Sequence, residues 1–347
     1  MNQRAVPSSA SCIATRARVA SADEDAAVRL RDRRPSRAIT VLTMEARHAI
    51  GVDLGGTKIL TGVVGRDGEV VRRHERATAL ESEEALAAEL ATAIAEVMGD
   101  DVAAIGLGVP GPLNIKDGRT YDMVNLPFHN FPLRDYIAAR FGLPVGLDND
   151  ANAAAVGEWR AGAGRGVDDL VMLTLGTGVG GGVVSCGAPF RGRDGEGVEL
   201  GHVTIVHDGR PCQGACPGHG HLEAYVSGHA ASQAAREAFG PSADAHRLIR
   251  LANEGDAQAK QLLSELAAYL GSGIGSFVNI FAPQLVLIGG GFGVAAFDHL
   301  AGPAEETARR EALEPMRDGF RLVKAELGTA AGLIGAAFVG FEALDSL

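Results

Sequence analysis

One pattern occurs twice in the sequence and constrains the fold more than any other: an apolar run, a turn rich in glycine, and a second apolar run. It appears as AIGVDLGGTKILTGVVG from Ala49 onward and again as DLVMLTLGTGVGGGVVSCG at 169–187. Two apolar runs on either side of a short glycine turn predict an antiparallel β-hairpin. The weak internal repeat indicates two related α/β halves with a cleft between them.

Helical and strand patterns alternate between and after these hairpins, which is typical of an α/β fold. Ser82 is suited to cap a helix, because Glu83 and Glu84 follow it and apolar residues then recur on one face. Further strands are predicted at 102–109, 143–147, 284–288 and 322–327, and further helices at 133–141, 151–162, 256–282 and 330–344.

Composition excludes several classes of protein. The formal net charge is −11 and no basic stripe crosses the body of the chain, which argues against a nucleic-acid partner. Four cysteines, one of them in the N-terminal tail, give no disulfide framework and fit a reducing cytoplasm. Two long uncharged stretches, 170–190 and 266–297, are interrupted by glycines and polar residues, so neither predicts a membrane-spanning helix.

The N-terminal segment differs from the rest of the chain. Residues 1–43 are rich in serine, alanine and arginine without a hydrophobic period, and we expect them to be disordered. The acids at 23–25 argue against a targeting peptide, and translation could begin at Met44. The predicted organisation is therefore a tail (1–43), an N-terminal α/β lobe (44–160) and a C-terminal α/β lobe (161–347) whose last helix packs back on the N-terminal lobe.

A His/Cys cluster lies in the stretch ELGHVTIVHDGRPCQGACPGHGHLE, residues 199–223. His202, Cys212, Cys216 and His221 are separated by nine, three and four residues, which favours a closed tetrahedral zinc site. His219 competes with His221 as the fourth ligand. Folding of this loop around an ion would also bring Glu199 and Glu223 toward one place, beside a pocket for a polar substrate.

Three glycine turns and one acidic strand end are candidates for phosphate chemistry. The turns in DLGGTK, LGTGVGGG and IGGG let backbone N–H groups approach anionic oxygens, although none is a Walker loop. Asp148, Asn149 and Asp150 follow a predicted strand and open a helix, where functional groups collect in α/β proteins.

Taken together, these segments resemble the sugar kinases of the ROK (repressor, open reading frame, kinase) family, over roughly 49–341. The resemblance rests on DLGGTK at 53–58, PGP at 110–112, DNDANAAAVGE at 148–158, LGTGVGGG at 175–182, ELGH at 199–202 and the cysteine cluster that ends in LE. It implies an α/β protein with two ribonuclease-H-like lobes of the actin/hexokinase type around a central cleft. It also implies ATP-dependent phosphorylation of a hexose.

The resemblance implies a role for each matching residue. Asp150 is the general base, with Asp148 as the rival base, and the helix N-terminus should keep Asp150 ionised and able to accept a proton. Sugar contacts are implied for Asn125, Asn149, Asp150, Glu199, His202 and Glu223, and contacts with ATP and Mg²⁺ for Asp53, Gly55, Gly56, Thr57, Lys58, Thr177, Gly178, Gly289, Gly290 and Gly291. Structural zinc is implied at His202, Cys212, Cys216 and His221. The chain departs from the common family pattern here, since His221 stands where a third cysteine is usual.

Glucose is the first expectation for the substrate, because the CQGACP and NLP segments look most like those of family glucokinases. Fructose, mannose, allose, N-acetylglucosamine and N-acetylmannosamine stay open, as does polyphosphate as the donor. A sugar-responsive repressor is disfavoured because no winged helix-turn-helix pattern precedes Val52. A catalytically silent sugar sensor is disfavoured by the intact Asp150. The family resemblance suggests a homodimer or homotetramer.

Overall fold

A computed structural model describes residues 48–123 and 125–347, and the tail predicted to be disordered lies outside this part of the chain. The main β-structure is two five-stranded sheets with the same strand order and sense. In each sheet an antiparallel hairpin is extended by a third antiparallel strand on one side and by two parallel strands on the other. The predicted internal repeat is thus visible in the topology.

The first sheet has the order β3-β2-β1-β4-β7 and the second has the order β10-β9-β8-β11-β12. A small two-stranded sheet, β5 with β6, follows β4. The strands are β1 His48–Leu54, β2 Lys58–Gly65, β3 Val70–Ala77, β4 Val102–Val109, β5 Leu113–Asn114, β6 Arg119–Thr120, β7 Val145–Asn149, β8 Leu170–Leu175, β9 Val179–Ser185, β10 Ala188–Phe190, β11 Leu285–Gly289 and β12 Arg321–Lys324.

The helices pack on these sheets and on one another, and most of them begin at a side chain that caps the first turn. Ser82, Asn149, Ser227, Asp244 and Asp256 each accept a hydrogen bond from a backbone N–H of the helix that follows. The helices are α1 Glu83–Val97, α2 Leu133–Phe141, α3 Asp150–Ala161, α4 Glu223–Val226, α5 Gly228–Phe239, α6 Ala245–Asn253, α7 Ala257–Phe281, α8 Gly291–Glu311 and α9 Ala331–Asp345.

Three strands differ from their predicted bounds. The one predicted at 284–288 lies one residue later, at Leu285–Gly289, and the two larger differences each have a local cause. The strand predicted at 143–147 lies at Val145–Asn149, because its register with β4 pairs Ile105 with Val145 and Val109 with Asn149. The strand predicted at 322–327 ends at Lys324. Beyond it the backbone N–H groups of Glu326 and Leu327 turn away to the buried carboxylate of Glu158.

Helix α9 lies against α3 and the first sheet, and glycine makes this close approach possible. A Cβ atom on Gly335 would lie 1.6 Å from the carbonyl oxygen of Ala153, and one on Gly106 would lie 1.7 Å from that of Ala336. No side chain fits at those distances, which explains why some of the 47 glycines of the chain lie in this interface. Residues Gly328–Asp345 are long and apolar enough to cross a membrane, but 67% of this stretch is buried within the protein, where it forms part of the core.

The predicted division into lobes at 44–160 and 161–347 stays a prediction. Position 161 is the last residue of α3, after which the chain passes from the first sheet to the second. The chain returns after β12, where a short 3₁₀ turn at Gly328–Ala330 leads into α9. Two connections therefore join the sheets, and both lie near the C-terminal end of α3.

Candidate functional site

Two cavities adjoin at Asp150, and each is lined by residues from both sheets. The first, which we call the acid cavity, has a volume of about 370 Å³ and contains Asp150, Glu199 and Glu223 in its wall. The second, the glycine cavity, has a volume of about 390 Å³ and is bounded by Gly289–Gly291 and Asp53. Both volumes fall within the range of about 300–1,000 Å³ that is usual for small-molecule sites. Asp150, Ala151, Thr174 and Gly290 form the wall that the cavities share.

Strand β7 and helix α3 place Asp150 in this wall. Asn149 caps the helix, since its Oδ1 accepts from the N–H groups of Ala151 at 2.9 Å and Asn152 at 3.3 Å. Its Nδ2 donates to the Gly111 carbonyl at 3.4 Å, so the amide has a structural task at the edge of the acid cavity. Because the cap fixes the first turn, Asp150 has a defined position at the start of α3.

Asp148, the rival base of the sequence analysis, is occupied elsewhere. Its side chain is fully buried, and its Oδ2 accepts a hydrogen bond of 2.6 Å from Nε of Arg191. Its Oδ1 accepts from the Asn149 N–H at 2.8 Å. Burial raises the pKa of the Asp148 carboxyl, while Arg191 and the Asn149 N–H act in the opposite direction. Asp148 lines neither cavity, and Asp150 is thus the better-placed proton acceptor of the two.

The electrostatics at Asp150 differ from the simple expectation. Burial raises the pKa of Asp150 above its ordinary value, and the charge of Glu199 adds to this, although the Ala151 N–H lowers it. Desolvation therefore opposes the lowering of the Asp150 pKa by the helix N-terminus. Burial and the charge of Asp150 also raise the pKa of Asp53 to about 6, with Lys58 acting against them. Two acids facing one cavity and repelling each other form a natural position for a divalent cation with oxygen ligands.

Glu223 closes the other side of the acid cavity. Its Oε2 accepts from the Val179 N–H at 2.7 Å, which ties the start of α4 to the turn between β8 and β9. A Cβ atom on Gly178 would lie 2.2 Å from the same oxygen, so the glycine turn and the carboxylate depend on each other. Thr177 and Glu199 line the same cavity. The second glycine hairpin and the two acids predicted around the metal loop thus meet in one place.

His202, Cys212, Cys216 and His221 come together, with one ligand atom from each within 4.8 Å of all the others. Nδ1 of His202 lies 3.3 Å from Nδ1 of His221 and 3.6 Å from Sγ of Cys212, and Sγ of Cys216 lies 3.5 Å from Nδ1 of His221. A tetrahedral zinc ion with Zn–N of about 2.0 Å and Zn–S of about 2.3 Å separates its ligands by roughly 3.3–3.8 Å. The three distances given above match edges of such a tetrahedron, and the other three pairs of ligand atoms also lie within 4.8 Å.

The surroundings of the cluster favour the same ligand set. His219 is exposed and pairs through its backbone with Pro211, whereas His221 points into the cluster. Burial and a hydrogen bond with Cys216 raise the pKa of the Cys212 thiol to about 11. A cation is needed to hold Cys212 as a thiolate near neutral pH. His202 lines the acid cavity as well, so this loop bears directly on that cavity's shape.

The remaining predicted site residues are divided between the cavities and the surface. Gly289, Gly290 and Gly291 line the glycine cavity and open helix α8, whose first N–H groups suit an anion. Gly55, Gly56, Thr57 and Lys58 form the turn from β1 to β2 and line neither cavity, and Lys58 Nζ binds Glu75 at 2.9 Å. Asn125 is exposed and also lines neither cavity.

Sequence reasoning missed three groups of residues. Thr174 lies in the shared wall, and Ala325, Gly328 and Thr329 line the glycine cavity although their segment carries no motif. Arg191 pairs with Asp148, and nothing in RGRDGEG distinguishes it from the arginine two residues later. Glu158 could have been noticed, because an acid at the end of an otherwise apolar helix face calls for a buried partner.

The repeated sheet topology and the cavities lined by both sheets define the class of protein: a mixed α/β protein of the actin/hexokinase-like fold. A ROK family glucokinase from Streptomyces griseus, solved in complex with glucose and AMPPNP, superposes with a TM-score of 0.73 at 34% identity, covering 85% of this chain and 99% of that one. A ROK hexokinase from Thermus thermophilus superposes with a TM-score of 0.76 at 37% identity, covering 86% of this chain and all of that one.

The family model of the ROK family matches residues 49–341. The glucokinase of Thermotoga maritima is 37% identical, over 84% of this chain and 96% of its own length. An N-acetyl-D-glucosamine kinase of Escherichia coli is 32% identical, over 83% of this chain and 98% of its own length. The chain belongs to the ROK family and is similar to its glucokinases.

Proposed function

We propose that the protein transfers the γ-phosphoryl group of ATP to a hydroxyl of a hexose, and that D-glucose is the hexose. The observation that carries this proposal is the position of Asp150 in the wall shared by the acid cavity and the glycine cavity. A phosphoryl transfer needs donor and acceptor to meet at one point with a proton acceptor beside it. Two adjoining cavities of ligand size with one acid between them meet that need.

In this mechanism the hexose lies in the acid cavity, where Glu199, Glu223 and His202 offer hydrogen bonds to its hydroxyls. Asp150 accepts the proton of the attacking hydroxyl as the new oxygen–phosphorus bond forms and the bond between the β- and γ-phosphates breaks, which releases ADP. The raised pKa of Asp150 suits a proton acceptor, because it is closer to neutral pH than the pKa of an exposed carboxyl group.

ATP binds in the glycine cavity according to this proposal. The N–H groups at Gly290 and Gly291 and the β8–β9 turn with Thr177 and Gly178 would face its phosphates. Mg²⁺ would be held near Asp53, where it would neutralise phosphate charge. The turn Gly55–Lys58 belongs to the opposite sheet, and we propose that it contacts the phosphates once the cleft narrows around both substrates.

Activity assays with one substitution test the reaction. Release of ADP is measured with Mg-ATP and glucose, mannose, fructose, N-acetylglucosamine or N-acetylmannosamine, and Asp150→Asn is compared with wild-type protein. We expect glucose to be preferred and kcat to fall by a factor of roughly 10²–10⁴ in the variant, the usual contribution of a general base. Preference for N-acetylglucosamine would instead match its similarity to the N-acetyl-D-glucosamine kinase of Escherichia coli. No ADP release with any of the sugars would refute the kinase assignment.

We also propose that His202, Cys212, Cys216 and His221 hold a structural Zn²⁺ that shapes the acid cavity. Elemental analysis should then find about one zinc per chain, as expected for a closed site with four protein ligands. Cys216→Ser should lower the zinc content and the melting temperature, whereas His219→Gln should leave both unchanged. Fully active protein that contains no metal would refute this assignment.

We also propose that the protein lies in the cytoplasm as a homodimer or homotetramer, and light scattering of the purified protein tests the assembly.

A further inference from the structure

Arg191 joins two acids that are distant from it in sequence. Its Nε donates to Asp148 at the end of β7 at 2.6 Å, and its Nη2 donates to Glu342 on α9 at 2.8 Å. The Asp148 side chain is fully buried, and that of Arg191 is 23% exposed. A buried carboxylate is stable only with a partner, so this guanidinium is required where it lies.

The pair lies next to the proton acceptor. Asp148 directly precedes Asn149, and the Asp148 carboxylate accepts the Asn149 N–H, while Asn149 in turn caps the helix that begins at Asp150. The position of Asp150 thus depends on the placement of Asp148. Arg191 fixes the outer oxygen of Asp148 and so completes the support of this strand end.

Arg191 also begins a segment that follows β10 of the second sheet and reaches the small β5–β6 sheet, residues 191–199, which we call the strap. The base of the strap is closed by a 3.0 Å hydrogen bond from the Gly197 N–H to the Arg191 carbonyl. Its tip contacts the β5–β6 region, where the Ile115 N–H donates to the Asp194 carbonyl at 3.2 Å and Tyr121 binds Glu196. Its end is Glu199, in the wall of the acid cavity.

Backbone strain shows that the end of the strap is held in place. Val198 has a φ of 75°, in the left-handed region that β-branched residues avoid. Such a conformation persists only where surrounding contacts impose it, and these conformations collect at functional sites. The two anchors that bracket Val198 are the base of the strap at Arg191 and the 3₁₀ turn Leu200–His202.

We propose that Arg191 is a positioning residue for the phosphoryl transfer: it fixes the strand end that presents Asp150 and the strap that presents Glu199. This inference rests on the proposed hexose kinase activity. Arg191 touches neither cavity, so it acts through the two acids. Loss of the guanidinium loosens the proton acceptor in the shared wall and one sugar contact, while Asp53 and Gly289–Gly291 on the other walls of the glycine cavity keep their places. We therefore expect kcat/KM for the hexose to fall in variants of Arg191 while KM for Mg-ATP stays nearly unchanged.

The experiment compares wild-type protein with Arg191→Gln, Arg191→Lys, the double variant Asp148→Asn/Arg191→Gln, and Arg193→Gln as the matched control. Arg193 lies on the same strap, but its side chain is 88% exposed. Among the residues that the structure describes, it forms an ion pair only with its neighbour Asp194. For Arg191→Gln we expect kcat/KM for the hexose to fall by a factor of roughly 10–100, because misplacement by about 1 Å has effects of that size. KM for Mg-ATP should stay within about twofold in every variant, and Arg193→Gln should match wild type, as surface ion pairs contribute little.

The double variant separates positioning from simple burial of a charge. It removes the unpaired carboxylate, so the melting temperature should recover relative to Arg191→Gln while kcat/KM for the hexose stays low. Recovery of both quantities would overturn the inference, as would wild-type kinetics in folded Arg191→Gln. If Arg191→Gln does not fold, kcat/KM for the hexose is measured in the double variant and in Arg191→Lys. A wild-type value in either folded protein would then overturn the inference. Failure of the proposed function is distinct, since wild-type protein would then turn over no hexose.

Discussion

Substitution of Glu158 by glutamine should weaken the protein at the point where its two sheets are joined. The Glu158 side chain is fully buried and carries three backbone N–H groups: Oε2 accepts from Ala163 at 3.0 Å and Glu326 at 3.1 Å, and Oε1 accepts from Leu327 at 2.7 Å. Ala163 lies where the chain leaves α3 for the second sheet. Glu326 and Leu327 lie where it returns toward α9, so one carboxylate ties both connections together.

The magnitude follows from the geometry. Glutamine keeps one oxygen, and the orientation that retains both bonds at the Oε2 position places its NH₂ group against the Leu327 N–H. The shortest of the three bonds is then lost, and the other two change from charged to neutral acceptors. A hydrogen bond to a charged group contributes about 1.5–3 kcal/mol, so the total loss is about 3 kcal/mol. At the usual unfolding entropy of about 2.1 cal/mol/K per residue, that loss in a chain of this size corresponds to a fall of roughly 4–5 °C in melting temperature.

Function should change on one side of the site only. The segment pinned by Glu158 supplies Ala325, Gly328 and Thr329 to the glycine cavity and no residue to the acid cavity. We therefore expect KM for Mg-ATP to rise severalfold in Glu158→Gln while the dissociation constant for the hexose, measured by calorimetry, stays the same. Glu326→Gln is the matched control, because it makes the same chemical change on an exposed side chain of the same segment.

The reasoning would be refuted by a Glu158→Gln protein that melts within about 1 °C of wild type, since three backbone N–H groups cannot lose a buried, charged acceptor without cost. Equal weakening of hexose and ATP binding would also contradict it, because the pinned segment would then not act locally. Thermal melting by fluorescence and steady-state kinetics on the three proteins are sufficient to decide.

Two further predictions concern the acids of the site. Asp53→Asn should raise the melting temperature at pH 7.5, because a folded-state pKa of about 6 against an ordinary value of 3.8 means that ionised Asp53 destabilises the folded protein. The destabilisation by ionised Asp53 is absent below pH 3.8 and complete above about pH 6. The gain in melting temperature of Asp53→Asn should therefore shrink as the pH falls between those values, and a gain that does not change with pH would contradict the prediction. Gly178→Ala should raise KM for the hexose by a factor of roughly 10 or more, because the new Cβ would lie 2.2 Å from the Glu223 oxygen and displace it by about 1 Å; an unchanged KM contradicts it.

The sequence predicted those features whose cause is local. Both hairpins, the capped helices after Ser82, Asn149 and Asp256, and the glycine turns were predicted, because apolar periodicity, capping side chains and φ-permissive residues act over a few positions. The helices after Ser227 and Asp244 were not predicted. The His/Cys cluster was predictable for the same reason, since its four ligands lie within twenty residues. The helix that begins at Asp150 follows from the Asn149 cap, and the resemblance in these motifs led to the correct family.

The tertiary structure alone decided which distant residues meet. Arg191 selects Asp148, 43 residues away, and Glu342, 151 residues away, while Glu158 binds the backbone 168 and 169 residues further along the chain. Such pairs carry no periodic signal, because their geometry depends on how the two sheets and α9 pack rather than on neighbours in sequence. For the same reason the rise in the pKa of Asp150 came from burial, which overrides the local effect of a helix N-terminus only once the cleft is built.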